Sequence, residues 1–392
     1  MKIGIFTDSY RPYVSGVVRS IETFARELIN RGHEVYVFAP RYPDARQNEE
    51  NIYRFPSFRT PFHPEFYIGL PFPWQARQYA RKWGLDIIHV HSPFLLGRLG
   101  ASFARRLDVP LVFTYHTLYD QYIHYFPFAR GLARHVVIYL AREFCNRCDL
   151  VIAPTGVIKN LLEGYGVRRP IVPIPTGIHP ERFQDGDPNF LYENFGVPRE
   201  DRVLLFVGRL GKEKNLDFLL RVFSLVLQKQ RAATLVLVGS GPEKEALGAF
   251  AKELGIGTKV VFTGLLAPDV VAGAYRSADL FVFPSVTETQ GLVLLEAMAA
   301  GLPVVARAAF GSLAMVRDGV TGFLCSECEE EFAAKILLLL EQPLLKRQMG
   351  EAARARALSL SAEKMALRLE KTYHALLEGD RELLETLARE EI

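Results

Sequence analysis

Two rhythms of apolar and polar positions alternate along the chain. Short, nearly unbroken apolar runs recur, and between them apolar residues return every three or four positions. Runs of the first kind read as strands buried on both faces, and the second spacing is that of amphipathic helices. Strand Ile3–Thr7 leads through a polar turn at residues 8–16 into Val17, Ile21, Phe24, Ala25, Leu28 and Ile29 on one helical stripe. Gly32-His33 closes that helix and Glu34–Ala39 reads as the second strand. Further strands are predicted at Ile87–Val90, Leu111–Phe113, Leu150–Ala153 and Ile171–Ile174. After Pro198 the rhythm restarts, with strands predicted at Val203–Val207, Thr234–Val238, Lys259–Phe262, Leu280–Phe283 and Val304–Ala306. Between the first two of these, Leu216, Leu219, Leu220, Phe223, Val226 and Leu227 share one stripe of a helix. Strand–helix alternation implies parallel sheets with helices on both faces, so the fold class is α/β in two halves.

The expected divisions are a first domain at 1–187, a linker at 188–198, a second domain at 199–364 and closing helices at 365–392. At 392 residues the chain exceeds one ordinary core. No window is apolar for long enough to span a bilayer, and the chain opens directly on a strand, so no signal peptide is expected and the location is read as cytoplasmic. Residues 1–187 carry 23 Lys and Arg against 17 Asp and Glu, a balance of +6, whereas residues 188–392 carry 24 against 27, a balance of −3. A basic front half suits an anionic surface or ligand, but so modest an excess speaks against a nucleic-acid binder. The cysteine pairs Cys145/Cys148 and Cys325/Cys328 lie 176 residues apart, far beyond zinc-ribbon spacing, and read as reduced structural thiols with no metal expected. Asp185-x-Asp187 has the form of a metal-binding pair but falls in the flexible stretch Gln184–Asn189 and is discounted.

Candidate chemistry gathers where ligands collect in parallel sheets, beyond the carboxyl ends of strands. In the first half that rule selects Asp8 and Gly16, His91, and the run Tyr115-His116-Thr117. In the second half, a strand runs into Gly208-Arg209-Leu-Gly211-Lys212-Glu-Lys214-Asn215, then into a helix. Glycine permits close backbone approach, a helix start offers N–H groups, and Arg with Lys suits a diphosphate. No GxxxxGK[ST] element is present, so the turn is not a P-loop. The stretch Ser285–Gly301 reads as a loop and a helix from about Gly291 to Ala300, in which Glu296 is the one ionisable residue between the two glycines. A carboxylate on an otherwise apolar helix needs a partner, either a ligand or a neighbouring Arg or backbone amide. Glu288 stands just before the same helix, near the positive end of its dipole.

Together, Gly208–Asn215 and Glu288-Thr-Gln-Gly-Leu-Val-Leu-Leu-Glu296-Ala-Met-Ala-Ala-Gly301 resemble the paired motifs of the family 4 retaining glycosyltransferases. Leu237–Glu243, Val261–Gly264, Ala278-Asp279, Pro303–Val305 and Asp318–Phe323 follow in the family's order, and the likeness extends over residues 1 to roughly 375. The resemblance implies a GT-B fold, two Rossmann-like domains facing across a cleft, with a C-terminal helix crossing back to the first. It implies a nucleotide-sugar donor whose diphosphate is held by Arg209 and Lys214 and, from the other domain, approached by Gly16. Glu296 would bind the ribose and Glu288 the transferred sugar. Gln290, Gly291 and Leu292, with Gly264 in a supporting motif, would complete the donor site, and His116 would lie beside the reacting sugar. Ser15 stands where many relatives carry a second glycine. No cofactor or metal is implied, and retention would follow from same-face attack within an ion pair.

For the acceptor, Phe55–Trp74 holds seven aromatics and five prolines in twenty positions, and a predicted helix carries Arg130, Arg134 and Arg142 beside Val136, Val137, Leu140 and Phe144. Such composition suits either a membrane interface or an ordinary folded loop and core helix. Tyr115-His-Thr-x-Tyr119-Asp120-x-Tyr122-x-His124-Tyr125, Phe144–Asp149 and the Glu-Thr-Gln-Gly form of the glutamate motif are similar to bacterial diacylglycerol glucosyltransferases. That likeness implies transfer of a hexose, with glucose favoured, from a UDP-sugar to 1,2-diacylglycerol at the inner face of the cell membrane. Tyr115, Tyr119, Asp120, Tyr122 and His124 become acceptor candidates, and the first domain the anionic-membrane contact. Phosphatidylinositol, a soluble saccharide or another small acceptor is the alternative within the same chemistry. A non-catalytic nucleotide-sugar-binding module is the alternative outside it.

Overall fold

The computed structural model describes residues 1–45, 49–60, 66–118 and 130–390, with the backbone alone for residue 73 and residues 130–134. The chain folds as two compact units, Met1–Gly177 together with Ala362–Ile392, and Ile178–Ser361. In the first unit the strands are β1 (Lys2–Phe6), β2 (Glu34–Pro40), β3 (Ile52–Phe55), β4 (Ser57–Arg59), β5 (Tyr67–Gly69), β6 (Ile87–Val90), β7 (Leu111–Thr114), β8 (Leu150–Ala153) and β9 (Ile171–Pro173). Seven of them form one sheet in the order β3-β2-β1-β6-β7-β8-β9, every pair parallel, while β4 and β5 make a small antiparallel hairpin. Its helices up to residue 164 are α1 (Gly16–Asn30), α2 (Pro73–Trp83), α3 (Leu95–Leu107), α4 (Arg130–Arg147) and α5 (Gly156–Gly164). Parallel strands need helical crossovers, and the interfaces are aromatic: Phe6 stacks on Phe38 at 4.2 Å and meets Phe103 of α3 edge-on at 5.6 Å.

The second unit contains α6 (Phe190–Phe195), β10 (Arg202–Val207), α7 (Leu216–Lys229), β11 (Ala233–Val238), α8 (Lys244–Glu253), β12 (Val260–Gly264) and α9 (Val271–Arg276). It continues through β13 (Leu280–Phe283), α10 (Leu292–Ala299), β14 (Val304–Arg307), α11 (Phe310–Met315), β15 (Gly322–Cys325), α12 (Glu329–Glu341) and α13 (Pro343–Ser359). Its six strands lie in the order β12-β11-β10-β13-β14-β15, all parallel. The last helices, α14 (Ala362–Glu378) and α15 (Arg381–Arg389), belong to the first unit. There α14 packs along α1, burying Leu369 and Tyr373, and Arg368 Nε donates to the Pro173 carbonyl at 3.1 Å. Arg31 Nε donates to Glu370 at 2.6 Å, and His33 Nε2 lies 2.8 Å from the same carboxylate.

Boundaries differ from the expected ones in three places, the smallest being the end of the second unit at Ser361 rather than at 364. The division falls at Gly177/Ile178, because Pro180–Phe183 forms a 3-10 turn packed on α9 and α10. Residues 190–195, expected within a linker, form α6, where Leu191 is buried and its N–H donates to Ser277 Oγ at 3.2 Å. The strands not anticipated are β3 and the hairpin β4–β5, which lack the continuous apolar run of a central strand, and β15, whose apolar run is only four residues long.

Both tryptophans, Trp74 and Trp83, lie in the first unit, so indole fluorescence reports its unfolding alone. Leu369→Ala is expected to destabilise that unit by about 2–5 kcal/mol in a denaturant titration read this way. A loss near zero would mean that α14 is not part of it.

Candidate active site

The strand order reverses once in each sheet, between β1 and β6 in the first unit and between β10 and β13 in the second. At such a switch point the connections depart to opposite faces and leave a crevice at the carboxyl ends of the two strands. The residues selected from sequence stand at these places. Asp8 follows β1, His91 and Ser92 follow β6, and Tyr115 and His116 follow the adjacent β7. Gly208–Lys214 follows β10, and Ser285–Gln290 follows β13.

In the first unit Asp8 turns inward. Its carboxylate accepts from Ser92 Oγ and, at 3.0 Å, from the N–H of Leu96 at the start of α3, so it stands in for the missing side-chain cap of that helix. Burial pushes its carboxyl up, opposed by those hydrogen bonds. His91 Nδ1 lies 2.8 Å from His116 Nε2, and His89 is held by Thr114 Oγ1 at 2.7 Å and the Tyr373 hydroxyl at 2.6 Å. Burial pushes the His89 and His116 imidazoles down to about 3 and His91 well below its ordinary value, so all three are neutral near pH 7. Gly16 opens α1 behind the cap Ser15, whose Oγ accepts from the Val18 N–H at 3.3 Å. A Cβ at Gly16 would meet nothing within 4 Å, so nothing inside this unit demands a glycine there. The Tyr115 ring is buried against Phe113 as part of the core. Tyr119, Asp120, Tyr122 and His124 lie outside the described residues, as do the side chains of Arg130 and Arg134.

In the second unit three strand-end turns are laid side by side by their backbones. Gly208 N donates to Val238 O at 2.9 Å, Leu210 N to Ser240 O at 2.9 Å, and Gly239 N to Gly264 O at 2.9 Å. Gly239 has φ of 134°, and a Cβ there would stand 1.9 Å from the Gly208 carbonyl oxygen, so only glycine lets the first two turns meet. Arg209 projects from this turn, exposed and without a partner among the described residues. Lys214 ends a short 3-10 turn, and its ammonium contacts the Glu288 carboxylate directly. The Glu288 loop is pinned from both sides: Ser285 Oγ donates to Glu213 O at 3.4 Å, and Gly311 N donates to Glu288 O at 2.8 Å.

Behind that loop, buried Gln290 and then Gly291, in the left-handed region at φ 78°, lead into α10, which begins at Leu292 with neither a side-chain cap nor an acidic residue in its first turn. Its N-terminal amide dipoles therefore carry their full positive bias toward an anion. Glu296 is 4% exposed, and its Oε2 accepts from the Tyr275 hydroxyl at 2.7 Å. A phenol, which the sequence did not suggest, is thus one partner of this carboxylate. Arg276, the next residue of α9, donates to Ala300 O at 3.2 Å, where the negative end of α10 favours a cation.

Two sets of groups result. One carries exposed Arg209, the Lys214–Glu288 pair, the uncapped start of α10 and a tethered carboxylate, a combination fitted to a polyanion with hydroxyl groups attached. The other carries neutral imidazoles. Tyr275, His89 and Tyr373 escaped the sequence reading because their partners lie 21 and 284 residues away. Asp187 Oδ1 accepts from the Asn189 N–H at 2.9 Å, a local turn contact, and no three His, Cys, Asp or Glu side chains group as metal ligands among the described residues. All four cysteines are free thiols, and burial pushes Cys145 and Cys325 up to about 12.

Such groups at the switch points of two Rossmann-like units define a glycosyltransferase of GT-B fold. The chain belongs to this class by sequence as well: the Glycosyltransferase Family 4 model matches residues 14–182 and the Glycosyl transferases group 1 model matches residues 189–356. It is 38% identical to the alpha-monoglucosyldiacylglycerol synthase of Streptococcus pneumoniae, over 78% of this chain and 71% of that one. It is also 30% identical to the GDP-mannose-dependent alpha-mannosyltransferase of Corynebacterium glutamicum, over 83% and 76% of the two chains. Among solved structures, Anabaena HepE in complex with UDP-glucose superposes with a TM-score of 0.77 at 22% identity, covering 96% of this chain and all of that one. The protein is a hexosyltransferase.

Tyr275→Phe removes a buried donor from Glu296 and is expected to cost about 1–3 kcal/mol of stability in the second unit, read by hydrogen exchange of β13 and α10 amides. Unchanged protection would show that the carboxylate does not depend on the phenol.

Proposed function

We propose that the protein transfers glucose from UDP-glucose to 1,2-diacylglycerol, with retention of configuration and without a metal or cofactor, at the inner surface of the cell membrane. The observation that carries the reading is the 38% identity to an alpha-monoglucosyldiacylglycerol synthase over 78% of the chain. In this reading Arg209 and Lys214 hold the diphosphate, with Gly16 and Gly264 lining its surroundings. Leaving-group departure places negative charge on the diphosphate, and two cations with the α10 amides stabilise it there. Glu296 accepts from the ribose hydroxyls, Glu288 and the amides of Gln290, Gly291 and Leu292 bind the sugar, and His116 lies beside the reacting carbon. Lys214 and Glu288 pair with one another until a donor arrives, which offsets the cost of holding a partly buried ammonium.

The lipid acceptor is supported by the surface of the first unit. Trp74 and Phe72 are 79% and 61% exposed, and α4 exposes Val136, Tyr139 and Leu140, with Arg142 stacked over Tyr139 at 5.1 Å. Aromatic and basic groups together suit the interface of an anionic membrane. No helix among the described residues is long and apolar enough to cross a membrane. A second reading is favoured by the mannosyltransferase relative, namely GDP-mannose as donor with the same residues in the same roles.

A panel of UDP- and GDP-hexoses offered with total lipid extract, followed by mass spectrometry, should give a monoglucosylated diacylglycerol. Product on free sugars and none on lipid would overturn the acceptor, and absence of nucleotide release from every donor would leave a binding module. Lys214→Ala should lower turnover by about 100-fold or more, and wild-type rates in that variant would sink the role of Lys214. Replacing Arg130 and Arg134 by Ala should weaken binding to anionic vesicles by about 1 kcal/mol each without changing nucleotide affinity. Unchanged vesicle binding would make that helix an ordinary core element.

A further inference from the structure

Three imidazoles stand in a row at the carboxyl ends of β6 and β7, and the function above uses only the last. His89 and His91, two residues apart, share one side of their strand, with ring centroids 4.2 Å apart; the rings of His91 and His116 stack at 5.1 Å. Both nitrogens of His89 are occupied, by Tyr373 of α14 and by Thr114 of β7, so that ring cannot rotate and forms a fixed wall. His91 lies against it, 3% exposed, with Nδ1 on His116 and Nε2 buried without a hydrogen-bond partner.

That unpartnered nitrogen decides where the protons are. Burial keeps both rings neutral, so each carries one N–H, and of the two nitrogens in contact one donates and one accepts. If His116 Nε2–H donated, His91 would have to carry its own hydrogen on Nε2, as a buried N–H with no acceptor. If His91 Nδ1–H donates, Nε2 is a bare lone pair, and a buried orphan N–H is the rarer and costlier defect.

We propose that His91 is a positioning residue for sugar transfer: its Nδ1–H donates to His116 Nε2, fixing His116 as the Nδ1–H tautomer, with His89 as the backstop. This rests on the assignment of His116 to the reacting sugar. The hydrogen bond leaves Nδ1–H as the one donor of the His116 ring and sets its direction, as the outer partner of a functional histidine does elsewhere. It also leaves His116 uncharged, so that positive charge developing on the sugar ring meets no imidazolium.

Two variants separate donation from bulk. His91→Asn places an amide N–H where Nδ1–H stood, whereas His91→Phe keeps a ring and removes the donor. With the full chain, its nucleotide-sugar donor and lipid acceptor, His91→Phe should lower kcat by roughly 10- to 100-fold with KM for the donor little changed, and His91→Asn should recover most of that loss. Equal losses in both variants, no loss in either, or a loss confined to KM overturns the proposal. Long-range proton–nitrogen NMR on histidine-labelled wild-type protein reads the tautomer directly, and a proton on His116 Nε2 overturns it whatever the activity. A wild-type protein that transfers no hexose at all, yet shows His116 protonated on Nδ1, would refute the transferase assignment and leave the hydrogen bond standing.

Discussion

A strand in a parallel sheet can be followed by its neighbour only if the chain crosses a face and re-enters at the far end. Every connection therefore departs from the same edge, and each sheet here collects its turns along a rim of its own. The rim is crowded, which is why the Gly208 and Gly239 turns must touch through bare backbone. Where the winding reverses, beside β1 and β6 and beside β10 and β13, the crowding is relieved and polar groups can stand next to each other. The chemistry of the protein occupies the space this constraint leaves.

At these strand ends, carboxylates already have hydrogen-bond or ionic partners before any substrate enters. Lys214 meets Glu288, Glu296 meets a phenol, and Asp8 meets a hydroxyl and a helix start. Each of these three carboxylates is matched by a donor on a different element, which offsets the cost of withdrawing it from water. Arg209, exposed and unmatched among the described residues, is the exception. An arginine costs little to leave in water, and it can meet a phosphate without first giving up a partner.

Central strands were legible because burial on both faces demands unbroken apolar runs, and β6, β8 and β13 fall where the pattern places them. The strand-end rule selected Asp8, Gly16, His91, Tyr115 and His116 and the turn carrying Arg209 and Lys214, while Glu288 was noticed by its place before a helix. Edge strand β3 was not legible, since Arg54 and its half-exposed neighbours dilute the pattern, and β15 is an apolar run of only four residues. The hairpin β4–β5 hid in a proline-rich stretch where no period can be read. Least visible were the residues that hold other residues. Tyr275 and His89 sit in apolar runs like ordinary core side chains, and only the three-dimensional neighbour of each hydroxyl or ring nitrogen reveals what it does.

The second unit is an insertion. Residues 178–361 interrupt a first unit whose final helices begin at residue 362. During synthesis the inserted unit is complete in sequence, and free to fold, while its host still lacks α14. Tyr373, which clamps His89, emerges after every strand of both sheets. The histidine row is thus finished last, and a chain cut short before residue 373 would keep the Thr114 contact to His89 but lack the Tyr373 clamp. Order of manufacture, in this topology, separates the turns after β10 and β13 from the completed histidine row.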